Sequence, residues 1–334
     1  MTQPASPLDS ILARLLDLHP RKIDLSLGRT ERLLAALGDP HRRLPKTIHV
    51  AGTNGKGSTV AFLRAILEAA GQRVHVYTSP HLLRFNERIR LAGKLVDDAT
   101  LIAALEKCER VNAGQPITFF EIGTAAAFDL FAETPADWLL LEVGLGGRYD
   151  ATNVIDGPAA SIVTPVSIDH AEFLGDTVER IAQEKGGIFK RGAPGVIGFQ
   201  SDEALRVLEA CARRAGAPCI VARRDYDVRE ENGRLIFEDE RGLLDLAPPR
   251  LAGRHQHQNA ATAIAALRAV APEVPARAFE AGMRTVDWPA RLQRISRGRL
   301  VEAGKRDRRL LRRAHRAHPS SCAVQRASSS LRVR

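Results

Sequence analysis

The stretch Ile48-His49-Val50-Ala51-Gly52-Thr53-Asn54-Gly55-Lys56-Gly57-Ser58-Thr59 constrains this chain more than any other. An apolar run enters a glycine-rich turn carrying Lys and Ser, and a helical pattern of Val60, Leu63, Ile66 and Leu67 follows. That order builds an anion site from backbone. Glycines let main-chain N–H groups close around oxygen atoms, and the helix start adds the positive end of its dipole. Lys56 supplies a point charge for β/γ-phosphates, and the Ser58 hydroxyl can sit on Mg²⁺. An ordinary strand-to-helix turn could carry an incidental lysine, but strand, loop and helix stand in the order a phosphate loop requires. In the common form of that loop Ser or Thr directly follows Lys, whereas here Gly57 intervenes.

The chain has 334 residues, 44% hydrophobic and 26% charged, ordinary for a globular protein with one or two domains. The net charge of +10 invites a nucleic-acid reading until its location is examined. Residues 303–334 hold ten Lys/Arg against the single acid Asp307, so the remaining body is nearly neutral. The excess charge belongs to a tail and not to a groove, and nucleic acid is not an expected partner. Four cysteines (Cys108, Cys211, Cys219, Cys322) form no C-x-x-C pair or zinc spacing and read as buried thiols of a reducing compartment. Met1 to Leu18 lacks the pattern of a signal peptide, and no apolar run is long enough to span a bilayer. A cytoplasmic monomer is expected.

Leu8, Ile11, Leu12, Leu15 and Leu16 predict an N-terminal helix with one apolar face. Further helices are predicted around Leu101 to Cys108, Ile122 to Phe131, Glu203 to Ala215 and Asn259 to Val270. Asp176 with Glu179 suggests a capping box for a helix running to Lys190. Val74–Tyr77, Trp138–Val143, Ser161–Thr164, Val196–Phe199 and Cys219–Val221 read as buried strands. Strands that alternate with helices but lack alternating polarity predict an α/β fold, a mostly parallel sheet covered on both faces. Near residue 224 the pattern changes. Tyr226–Val228 and Leu235–Phe237 flank Asn232-Gly233, a hairpin signal, so a small β subdomain is expected at about 224–250.

Other segments carry chemistry. Glu142 stands where a buried strand runs out, and ligands in parallel sheets gather at carboxyl ends of strands. A hard carboxylate there suits Mg²⁺, though a structural acid would look the same. Gly144, Gly146 and Gly147 follow it, as they would where backbone is pressed against a ligand. His170 in Ser167-Ile168-Asp169-His170, Lys185 in Glu184-Lys185-Gly186-Gly187, and Arg291 after Trp288-Pro289-Ala290 are each ordinary surface or core residues if taken alone.

In order, HVAGTNGKGST, YTSPHLLRFNERI, TFFEIGTAAAF, EVGLGGRYDATN, SIDHAEFLGDT, IAQEKGGIFK, HQNAATAIAAL and WPARLQ resemble bifunctional folylpolyglutamate synthase/dihydrofolate synthase, of the ATP-dependent Mur ligase superfamily. The resemblance covers about residues 20–300. It implies an amide ligase that adds L-glutamate to dihydropteroate or to folates through an acyl phosphate, using ATP and Mg²⁺. It assigns Thr53, Asn54, Gly55, Lys56, Gly57 and Ser58, with Asn259 and Arg291, to ATP. Ser58, Ser79, Glu142 and His170 match metal ligands, and Lys185 matches a lysine carbamylated in the family. Thr118, Phe119, Phe120, Glu121, Tyr149, Asp150 and Ala151 match pteroate-binding segments, and the loop Thr78 to Ile89 one that folds over the pterin. A muramyl-ligase identity fits the YTSPHLLRFNERI loop less well.

The family continues past WPARLQ into a second α/β domain opening with Asp-Gly-x-His-Asn-Pro, and no such motif follows Leu300. Residues 301–334 are therefore expected to be a disordered, non-family basic tail, a frameshift product or the end of a truncated paralogue. A nucleotide- and pterin-binding remnant without ligase turnover is the alternative this raises. A genuine basic tail for nucleic acid or anionic surfaces is the other.

Overall fold

The computed structural model describes residues 6–19 and 23–290. The expectations for residues 301–334, Cys322 and Arg291 lie outside the described residues. Helices α1 (Pro7–Leu16) and α2 (Gly28–Ala36) precede strand β1 (Lys46–Ala51), and the glycine loop leads into α3 (Lys56–Ala69). Next come β2 (Val74–Tyr77), the short strands β3 (Ile89–Leu91) and β4 (Lys94–Leu95), then α4 (Asp98–Asn112) and α5 (Phe119–Glu133). Strands β5 (Trp138–Glu142) and β6 (Ala160–Val163) lead to α6 (Ala171–Leu174) and α7 (Val178–Gly186). The sheet is completed by β7 (Gly195–Ile197), α8 (Asp202–Ala215) and β8 (Cys219–Val221). A second sheet contains β9 (Tyr226–Glu231), β10 (Arg234–Asp239) and β11 (Gly242–Leu246), and α9 (Arg254–Val270) and α10 (Ala276–Thr285) follow.

The main sheet has the order β4-β3-β2-β5-β1-β6-β7-β8. It is parallel from β2 to β8, and at one edge β3 pairs antiparallel with both β2 and β4. β1 lies between β5 and β6, with Ile48 opposite Leu140 and Val50 opposite Ile162. Those four side chains join a core with α3, α9 and α10, whereas Leu139 and Leu141 point to the other face, packed by α1, α4 and α5. Burial on both faces is why these strands read as continuous apolar runs. Because β1 is central, its carboxyl end opens between two neighbours, where ligand crevices form in open α/β sheets.

The predicted antiparallel hairpin is present but has a third strand, β11, and it does not form a core of its own. Tyr226, Leu235, Phe237 and Leu246 are buried in the same cluster as α3 and α9. Other expectations need correction. The cap of α7 is Thr177, whose hydroxyl accepts from the Arg180 N–H, and not Asp176; the helix ends at Gly186, short of Lys190. The apolar face of α1 is Leu8, Ile11 and Leu15 with Leu12 packed partly buried beside them, and Leu16 is exposed. Cys108 and Cys211 are buried free thiols, but Cys219 is only half-buried. The helices α2 and α10 were not anticipated.

Candidate active site

The phosphate-loop residues leave the carboxyl end of β1 and are tied to the segment after β6. The N–H groups of Thr53 and Asn54 donate to the Pro165 carbonyl at 3.0 and 3.1 Å. The Thr53 hydroxyl donates to the Ser167 carbonyl at 3.0 Å and accepts from the Ser167 N–H at 3.1 Å. The amides at the start of α3 are differently placed. Their N-cap, Gly55, has no side chain to cap them, so the helix start presents N–H groups to a ligand.

Close approach requires glycine along this loop: at Gly52, where a side chain would run into Thr164, and at Gly55 and Gly57. Gly55 has φ +92°, and a side chain there would run into the Asn259 Oδ1 atom. A methyl group at Gly57 would lie 2.6 Å from Cζ2 of Trp288. The residue that separates Lys56 from Ser58 is thus the seat of an indole ring, which explains the departure from the common loop.

Lys56 Nζ and Lys185 Nζ each donate to the Gly52 carbonyl at 3.0 Å. Lys185, near the end of α7, is 4% exposed. Burial first, and the Lys56 cation second, push its ammonium down to about 7, against the opposing pull of Asp169 and Asp150. An amine in that range is largely neutral at slightly alkaline pH, and the neutral form is the nucleophilic one.

Glu142 ends β5 as a buried carboxylate and accepts from the Ser79 N–H at 3.3 Å. Ser58 is buried, and its Oγ accepts from Gln256 Nε2 at 3.3 Å. Among the described residues no group of three or more His, Cys, Asp or Glu could hold a metal by itself. One carboxylate and hydroxyl oxygens instead suit Mg²⁺, which keeps several waters and shares its sphere with ligand phosphates. The residues fit that ion and not a protein-only cage. His170 is half exposed, with φ +52° at the start of α6 and its ring 3.8 Å from Asp169. It lines a small cleft of about 30 Å³ with Gly52, Lys56, Gly144, Gly146 and Lys185. A larger cleft of about 500 Å³ lies elsewhere, between Phe199, the β9–β10 hairpin and α9. Volume and chemistry do not coincide, and the two lysine side chains are among the groups that narrow the first cleft.

The segments assigned to pteroate lie next to the small cleft, touching its lining through Phe120 at Gly144 and Asp150 at Leu145. Thr118 and Glu121 make the capping box of α5: the Glu121 carboxylate accepts from the Thr118 N–H at 2.7 Å and from Arg29 Nε at 3.0 Å. The Phe119 ring is edge-on to Phe85, and Phe120 lies over Gly144. Asp150 is buried, which pushes its carboxyl up, yet it accepts from the N–H groups of Leu145 (2.8 Å) and Thr152 (3.0 Å). Ala151 is buried and Tyr149 exposed. Glu121 and Asp150 therefore hold these segments in shape, while Phe119, Phe120 and Tyr149 supply their apolar surface. Arg29 and Gln256 were not anticipated. Gln256 could have been found by spacing, since it precedes Asn259 by three residues on one helical face.

Comparison with known proteins agrees with this geometry. The Mur ligase middle domain matches residues 50–267. Dihydrofolate synthase/folylpolyglutamate synthase of Escherichia coli is 40% identical over 298 residues, which are 88% of this chain and 68% of that protein. The enzyme of the same name from Bacillus subtilis is 38% identical, over 80% of this chain and 66% of its own length. Among solved structures, E. coli FolC in complex with DHPP and ADP superposes with a TM-score of 0.81 at 38% identity, covering 89% of this chain and 70% of that one. A bifunctional folylpolyglutamate synthase/dihydrofolate synthase with Mn, AMPPNP and L-glutamate bound gives 0.79 at 36% identity, covering 89% and 70%. The chain thus spans about two thirds of the length of these relatives. With its glycine loop, paired lysines and strand-end carboxylate in this arrangement, the chain belongs to the folylpolyglutamate synthase/dihydrofolate synthase family of Mur ligases.

Proposed function

We propose that the protein is an ATP-dependent amide ligase that adds L-glutamate to dihydropteroate, to folate (poly)glutamates, or to both. The observation that carries this reading is the convergence of Lys56 and Lys185 on the Gly52 carbonyl, beside a helix start that no side chain caps. Bound Mg-ATP supplies the phosphoryl group that turns the substrate carboxylate into an acyl phosphate, from which the glutamate amine displaces phosphate. The first-turn amides of α3 and Lys56 receive the β/γ-phosphates and stabilise charge on the phosphoryl group in flight. Thr53, Asn54, Gly55, Gly57 and Asn259 complete the nucleotide site, to which the resemblance also assigns Arg291, outside the described residues.

Ser58, Ser79, Glu142 and His170 would hold Mg²⁺, which would supply a positive charge to the phosphoryl oxygens. The Lys185 amine adds CO₂ to give an N-carboxylate and a proton, replacing a cation beside the metal with an anion; its depressed pKa favours that step. Thr118, Phe119, Phe120, Glu121, Tyr149, Asp150 and Ala151 form the pteroate wall, with 78–89 as its cover. Residues 1–300 act as the ATP-binding domain. The protein works in the cytoplasm as a monomer on small-molecule substrates.

The test is calorimetric titration with Mg-ATP together with glutamate-dependent ADP formation on dihydropteroate and on a folate. Binding that Lys56→Ala weakens, and ADP release that requires both glutamate and pteroate, are expected. Equal Mg-ATP affinity in wild type and Lys56→Ala would overturn the reading.

A further inference from the structure

Three buried side chains, Asn259, Gln256 and Ser58, form with the half-buried Gly55 a continuous contact between α9 and the start of α3. Asn259 Oδ1 abuts Gly55, the N-cap of α3. Asn259 Nδ2 donates to Gln256 Oε1 at 3.0 Å. Gln256 Nε2 donates to Ser58 Oγ at 3.3 Å. Gln256 is 0% exposed, so its amide has no water to turn towards. With its oxygen committed to Asn259, its NH₂ group is held towards Ser58. The loop is thereby gripped at both of its ends, Gly55 and Ser58, by one turn of a helix about two hundred residues later in the chain.

We infer that Gln256 is a positioning residue that aims the Ser58 hydroxyl at a nucleotide-bound divalent cation. A serine oxygen has two lone pairs. The Gln256 N–H occupies one, which fixes the direction of the other, the pair a hard cation would take. Without that bond the hydroxyl turns about its Cα–Cβ bond among three staggered positions, of which only some face the phosphates. Partners that orient a metal ligand commonly matter 10- to 100-fold in metal affinity. The inference rests on the nucleotide site proposed above, and it adds a residue which that reading does not assign.

The test compares Gln256→Met, which keeps the volume and removes both hydrogen bonds, with wild type. Two quantities are measured by calorimetry on the full chain: ATP affinity in EDTA, and the Mg²⁺ midpoint for enhancing it. The expected result is a Mg²⁺ midpoint raised at least tenfold, with metal-free affinity falling threefold or less. A purely structural role would lower the metal-free affinity by as large a factor as it raises the Mg²⁺ midpoint, and that result overturns the inference. Ser58→Ala should raise the midpoint by a similar factor, and the double variant no further than Ser58→Ala alone; multiplying losses would overturn the inference as well. Should Gln256→Met not fold, Gln256→Asn, which draws the amide one bond back from Ser58, carries the same expectation. Absence of Mg²⁺-enhanced binding in wild type overturns both the nucleotide site and this inference. Enhancement in wild type with an unmoved variant midpoint overturns the inference alone.

Discussion

The cleft has two glycine-bearing walls, and they are held in opposite ways. The wall at residues 52–58 is gripped from outside, by the Pro165 carbonyl, Ser167, Asn259 and Trp288, all from later parts of the chain. The wall at residues 144–152 is held mostly from within, with outside bonds between its Arg148 N–H and the Glu184 carbonyl at 2.9 Å and between Thr152 and His49 of β1. Asp150 accepts from its own loop at Leu145 and Thr152, the Thr152 hydroxyl donates to Asp150, and His49 Nε2 lies 2.9 Å from Thr152 Oγ1. Since that hydroxyl donates to Asp150, its oxygen accepts from His49, which places the imidazole proton on Nε2. The outside grip takes up the Thr53 and Asn54 amides but leaves the first-turn amides of α3, which no side chain caps, for a ligand. An inside grip uses the loop's carboxylate for shape, and leaves mainly apolar surface to offer. On the function proposed above, ligand charge goes to the first wall and a ring to the second.

Acid should break the inside-held wall. Burial, with Lys190 second, pushes His49 down to about 3 from an ordinary 6.5. Below pH 6.5 the unfolded chain takes up a proton that the folded one refuses until about pH 3, so stability falls as pH drops through that window. The loss from this residue is about 1.4 kcal/mol per pH unit and roughly 4 kcal/mol over the whole window. Urea unfolding at a series of pH values should show a steeper decline for wild type than for His49→Gln; parallel curves would mean that His49 is not the group responsible.

The next largest effect separates the walls by what each does. Lys56→Ala should weaken Mg-ATP binding about a hundredfold, about 2.7 kcal/mol, and hardly move the unfolding midpoint. Asp150→Ala should do the reverse, costing about 2 kcal/mol of stability because the amides of Leu145 and Thr152 lose a buried acceptor. If the Asp150 variant kept wild-type stability, the distinction between inside and outside grip would fail. The smallest effect tests the outer grip. Gly57→Ala should destabilise by about 1 kcal/mol through its clash with Trp288, and adding Trp288→Ala should relieve that increment. A double variant that shows the two costs simply added would place the indole elsewhere.

The outer grip was harder to read in the sequence than the loop it holds. Gly52 to Ser58 announces itself because glycine spacing and a following helix are local properties. Trp288 stood beside a proline and a candidate arginine, but its contact with Gly57 spans most of the chain and leaves no local period. Gln256 had one local pointer, its three-residue spacing from Asn259, but it lies in Arg254-His255-Gln256-His257-Gln258, where polar residues surround the helix and no apolar stripe marks the buried side. The parallel strands were legible since burial on both faces makes them continuous apolar runs. β11 was not, because Gly242 and Leu243 are exposed and its alternation is broken. The role of Asp150 was half legible. Its place after a glycine run marked a site, but only the fold shows its oxygens turned back onto the loop.

The indole on Gly57 also gives the protein an optical property. The chain has only two tryptophans. Trp138 is sealed in the core at the start of β5, where its emission is insulated from events at the cleft. Trp288 is half-buried and rests on the first turn of the phosphate-loop helix. Any ligand that shifts that turn changes the surroundings of one fluorophore and leaves the other as a constant reference. Occupancy of the loop is thus readable in the native chain from its ultraviolet fluorescence, without a label.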